Sequence, residues 1–105
     1  MTYERWTAAP VREVLARAVS ILTERLPIAV EHTDGHNVRL SGGDGTATVS
    51  AHRHGFDTIV HVETDQARTS RLDTEVQYFL TMLPYQPDDA RPPGAARPGG
   101  LDRVS

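Results

Sequence analysis

Between Ile28 and Thr64, apolar and polar residues alternate in four short runs, separated by turn signals at Thr33-Asp34-Gly35, Gly43-Asp44 and Gly55-Phe56. Alternation with period two marks strands that bury one face. A three-residue loop closed by Gly35 in the left-handed conformation sets Val30 opposite Val38 and Ile28 opposite Leu40. The second reversal sets Leu40 opposite Ala47 and Val38 opposite Val49. The third sets Ala51 opposite Val60 and Val49 opposite Val62. One face then reads Ile28, Val30, Val38, Leu40, Val49, Ala51, Val60 and Val62. The other reads Ala29, Glu31, Asn37, Arg39, Thr48, Ser50, His52, Ile59, His61 and Glu63. The pattern predicts an antiparallel sheet with one greasy and one wet face.

Helical spacing flanks these strands. Pro10 suits a first helical turn, and Val11, Val14, Leu15, Ala18, Val19, Ile21, Leu22 and Leu26 follow on one broad arc. Pro27 ends this element by disfavouring helical geometry at Leu26. A second helix begins at Ser70, a natural N-cap, with Asp73 in the first turn to favour the helix dipole. Its stripe is Leu72, Val76, Phe79, Leu80 and Leu83, and Pro84 closes it. The expected layout is α+β in two layers, α-β-β-β-β-α, with both helices on one face of a four-stranded meander. Residues 1–9 read as a short lead and 10–84 as the domain. Residues 85–105, rich in Pro, Gly and Arg, read as a disordered tail, because they cannot recover their ordering entropy by burial. The first strand is the weakest element, and without it the order would be α-β-β-β-α.

At 105 residues the chain suits a single domain. A body that small buries a modest share of its surface, and oligomerisation is one remedy. The absence of cysteine rules out disulfides, thiolate metal sites and cysteine nucleophiles. No apolar run is long enough to span a bilayer, and the start lacks a signal-peptide pattern, so a cytoplasmic location is expected. The net charge of −3 argues against general nucleic-acid binding. Every basic residue is Arg, with no Lys, which together with abundant Ala, Gly and Pro points to a GC-rich, bacterial genome.

Three constellations carry candidate chemistry. His52, His54 and His61 project from one side of adjacent strands, with Asp57 beside His54, in a set that could hold zinc or a similar ion. The preferred explanation is plain tolerance of imidazole on a half-wet sheet, because a metal site needs converging ligands and second-shell support that spacing does not supply. Ser50, His61 and Glu63 lie near one another, but a mid-strand serine lacks the strained presentation and oxyanion hole of a nucleophile. No catalytic residue and no cofactor is therefore expected. On the second helix, Tyr78, Met82 and Tyr85 recur at i, i+4 and i+7, away from the core stripe. Aromatic residues and Met are enriched at protein contacts.

An α-β-β-β-α order also builds double-stranded-RNA-binding domains, whose second helix starts with a lysine cluster. Here the equivalent stretch is Arg68-Thr69-Ser70-Arg71-Leu72-Asp73, so the chain resembles them in element order alone. The reading that emerges is a small non-enzymatic protein–protein interaction domain, adaptor or chaperone-like. It would pair with a protein partner or itself, as a homodimer, through Tyr78, Met82 and Tyr85. A metal- or small-ligand-binding protein using the strand histidines is the alternative, and RNA binding comes third.

Overall fold

A computed structural model describes residues 1–84; the segment expected to be a disordered tail, Tyr85 included, lies outside the described residues. The elements are β1 (Thr2–Thr7), α1 (Val11–Arg25), β2 (Ile28–Thr33), β3 (Asn37–Gly42), β4 (Gly45–His54), β5 (Asp57–Thr64) and α2 (Arg71–Thr81). The strands form one antiparallel sheet in the order β1-β5-β4-β3-β2. The class is α+β as expected, but the sheet has five strands rather than four. The extra strand is β1, formed by the residues read as a lead. It lies along β5 with an unbroken register from Thr2↔Glu63 to Thr7↔Thr58.

The central registers follow the alternation. Val38 faces Val49, Leu40 faces Ala47, Val49 faces Val62 and Ala51 faces Val60, all fully buried. Both helices cover this face: α1 packs against β2, β3 and β4, and α2 against β4 and β5. Val14, Ala18 and Leu22 of α1 meet Leu72, Val76 and Phe79 of α2 within a single core cluster. Gly55 takes a left-handed φ of 66° at the β4–β5 turn, a conformation that favours glycine.

The β2–β3 hairpin departs from expectation. Its register is Val30↔Leu40 and Ile28↔Gly42, not Val30 with Val38, and a bulge falls between Val30 and His32. The cause is Asp34. Its carboxylate accepts the backbone N–H groups of His36 and Asn37, and its own N–H donates to the Asn37 carbonyl. This side-chain turn moves the reversal to Gly35-His36, and Gly35 keeps a negative φ. The carboxyl is held down at about 2, first by the His36 N–H and then by the Asn37 amide. Val30, expected in the core, is 42% exposed on the edge strand. Ile59, expected on the wet face, is buried opposite Trp6.

A buried polar knot ties β1 to the second helix. Ser70 caps α2 by accepting the Asp73 N–H, and the fully buried Asp73 carboxylate accepts from three hydroxyls. These are Ser70 at 2.7 Å, Thr64 at 2.8 Å and Tyr3 at 2.7 Å. Burial and the hydrogen bond to Asp73 push the Tyr3 hydroxyl above its ordinary range. At the opposite end, the Thr7 hydroxyl donates to the Pro84 carbonyl at 2.6 Å. The N-terminal strand is thus fastened at both ends.

Candidate interaction surface

With both helices on one side, no helix among the described residues covers the other side of the sheet. Strand alternation places Glu4 and Trp6 of β1 there, with Ile59, His61 and Glu63 of β5, Thr48, Ser50, His52 and His54 of β4, and Asn37 and Arg39 of β3. The centre of this face is polar and internally bonded. Ser50 donates to the Asn37 side-chain oxygen at 2.6 Å, and Arg39 pairs with Glu31 at 2.9 Å. A shallow, open depression of about 380 Å³ lies beside it, lined by Arg39, Thr46, Thr48, Glu63, Thr64 and Asp65.

One corner is different. Trp6, 40% exposed, lies across the ladder from Ile59 and meets the His54 ring edge to face at 5.3 Å. His54 pairs with Asp57 across the hairpin end, and Phe56 at the tip is 94% exposed. Next to them, His52 and His61 stack nearly parallel, 11° between planes and 5.9 Å between centroids. Glu4 approaches His61 at 3.8 Å. Two aromatic side chains therefore stand at the surface beside three imidazoles and two carboxylates.

The three histidines singled out from the sequence divide into two groups. His52 and His61 come together, whereas His54 turns to Trp6. A bound ion must lie near the plane of each imidazole that ligates it, and nearly parallel stacked rings do not aim at a common point. Among the described residues no group of three or more His, Cys, Asp or Glu side chains is placed to hold a metal. Ser50 and His61 do face each other across β4 and β5, but the serine hydroxyl is directed to Asn37.

On α2, Tyr78 and Met82 are 39% and 47% exposed, away from the buried stripe. The Arg25 guanidinium from the end of α1 lies 4.1 Å over the Tyr78 ring and pairs with Glu75. One face of the tyrosine is thereby covered by its own chain. Arg17 donates to the Met82 carbonyl at 3.1 Å. The start of α2, where RNA-binding domains of similar element order carry lysines, has Arg71 engaged with Asp44 at 3.9 Å and the Arg25 carbonyl at 3.4 Å.

Sequence reasoning missed Trp6 and Phe56. The signal for Trp6 lay in Thr2-Tyr3-Glu4-Arg5-Trp6-Thr7, four of whose residues are β-formers. Phe56 stood in plain view at a turn centre, where an aromatic residue has no local structural purpose. Comparison with known proteins finds no matching family model, no matching curated protein and no matching solved structure. No helix among the described residues is long and apolar enough to cross a membrane.

Proposed function

We propose that this protein is a small non-enzymatic interaction domain that meets a protein partner through the helix-free face of its sheet. The observation that carries this reading is the exposed Trp6 on that face, packed on His54 and flanked by His52, His61 and Glu4, with the exposed Phe56 at the tip of the adjoining β4–β5 hairpin. Aromatic anchors surrounded by polar groups are the usual composition of a protein contact. A crosslinking amino acid placed at position 56 tests it in cells, with position 24 on the exposed side of α1 as control. The expected result is one discrete adduct from position 56, displaced by excess parent protein and not by the Phe56→Ser variant. Equal labelling from both positions, or none from position 56, would refute the reading.

A second reading is self-association through α2, favoured by the exposure of Tyr78 and Met82. A two-fold contact would set this patch against its own copy, with Arg71, Thr74 and Glu75 as a polar rim. Light scattering at high concentration should then give a dimer that the double change Tyr78→Ser and Met82→Ser converts to a folded monomer. A monomeric parent protein eliminates this reading and leaves the sheet face as the contact.

A further inference from the structure

The two edges of the sheet are built differently. On β2 the ladder is broken by the bulge between Val30 and His32, a common way of spoiling an edge for further pairing. On β1 the register runs without a break over six residues, and the strand has no proline and no lysine. The direction of its free hydrogen-bonding groups follows from the start of the ladder. Met1 and Thr64 exchange backbone hydrogen bonds, N–H to carbonyl, in both directions at 2.8 Å. Narrow and wide pairs alternate in an antiparallel ladder, so Tyr3, Arg5 and Thr7 also bond inward to β5. The backbone groups of Thr2, Glu4 and Trp6 therefore point away from the sheet, and among the described residues no strand lies beyond them.

From this we infer that β1 is a docking edge for an extended segment of another protein, added antiparallel as a sixth strand. This inference rests on the interaction reading above and specifies how the partner is held. Main-chain bonds would supply affinity, and alternate side chains would supply selectivity. The selectivity is set by charge. β1 and β5 place Glu4, Glu63 and Asp57 on the helix-free face and no arginine, since Arg5 lies on the helix side with Tyr3 and Thr7. A strand laid on this edge meets Trp6 and Glu4 two residues apart on one face, so it fits an apolar residue followed two positions later by Arg or Lys. A second copy fits poorly. Two-fold pairings of β1 with itself that set Glu4 opposite Thr2, Glu4 or Trp6 of the copy, the ones with the longest overlap, bring Glu4 directly opposite or diagonal to its own copy, and like charges so placed repel.

The test uses the full chain and a capped synthetic peptide, Val-Thr-Ile-Thr-Arg-Thr-Val, followed by amide NMR. The expected result is perturbation of the Thr2, Glu4 and Trp6 amides, with the Arg peptide binding about fivefold tighter than its Arg-to-Glu counterpart. Glu4→Arg should invert that preference, and Glu4→Gln should abolish it while leaving the melting temperature unchanged. Glu4 is half exposed, so neither change removes a core group. The inference is overturned if millimolar peptide leaves the β1 amides unmoved, or if the preference persists in Glu4→Arg. It is equally overturned if those three amides are already protected from exchange in the free protein, by another part of the chain or by a second copy. A crosslink from position 56 together with a silent β1 edge would keep the interaction reading and remove only the strand-addition mode.

Discussion

Replacing Asp73 by alanine should cost the domain about 3 kcal/mol, a large part of its stability. The carboxylate is fully buried and accepts three hydroxyl hydrogen bonds, from Tyr3, Thr64 and Ser70. Bonds to a charged acceptor are worth about 1.5–3 kcal/mol each when measured singly, and such values do not add within one network. Two of the donors are only part-buried and regain water when the carboxylate is lost, whereas Thr64 is buried and keeps only its longer bond to the Gln66 carbonyl at 3.3 Å. Removing a buried charge also returns some desolvation energy, which keeps the loss near 3 rather than 6 kcal/mol. A small domain holds about 0.05–0.15 kcal/mol per residue, so this loss moves the urea midpoint strongly. Asp73→Asn retains shape and one acceptor and should cost about half as much. The double-mutant cycle with Tyr3→Phe should show a coupling of at least about 1 kcal/mol, because the two groups touch. An Asp73→Ala variant within about 0.5 kcal/mol of the parent, or zero coupling to Tyr3, would refute the claim that this knot fastens β1 to α2.

Val62→Asp should unfold the protein, since Val62 is fully buried opposite Val49 and an unpaired charge there exceeds what a small domain tolerates. A cooperative melting transition retained in that variant would place the β4–β5 register one residue away. The Asp34 carboxyl, lowered from 3.8 to about 2 in the folded chain, contributes stability that is present above pH 3.8 and lost as the pH falls through 2. NMR titration should find it at the low value, and Asp34→Ala should remove this part of the acid dependence; a midpoint near 3.8 would contradict the turn geometry. Tyr3 behaves oppositely: its raised hydroxyl favours the neutral form, so its contribution is complete below pH 10 and fades as the pH rises through the higher folded value. A Tyr3→Phe variant should lose that alkaline sensitivity, as followed by the melting temperature from pH 8 to 11.

The three central strands were legible because two independent signals coincide there. Gly43-Asp44 and Gly55-Phe56 fix tight reversals, and the alternation on either side allows one register to bury Val38, Val49 and Val62 together. The first hairpin lacked that double check. Asp34 competes for the local backbone N–H groups, and such side-chain turns shift a reversal by a residue or two without altering the apolar pattern. β1 was illegible for a different reason. Its inward residues are Tyr3, Arg5 and Thr7, so it shows no greasy face, and its partner β5 lies more than fifty residues away. The burial of Asp73 was hidden likewise, because one of its three donors, Tyr3, comes from the distant strand β1 and another, Thr64, from the end of β5. Near the helix start it looked like an exposed residue answering the helix dipole.

The site was harder to read than the fold because its determinants are spread over elements that only the sheet brings together. Trp6 gains meaning as a surface anchor once β1 is laid against β5, and only then does it meet His54 from β4. The histidines were visible as a set, but their division into a stacked pair and a Trp6-bound third depends on side-chain directions that strand parity does not fix. The same residues that misread as a lead also carry the unbroken outer edge. Edge and open face therefore share Glu4 and Trp6, and a partner strand placed on the edge would contact the aromatic corner without further rearrangement. Conversely, a partner that lay only on the open face could ignore the outward amides of β1. Perturbation of the outward Thr2, Glu4 and Trp6 amides separates these two modes, because strand addition engages the free backbone of β1, while loss of Phe56 acts on the corner alone.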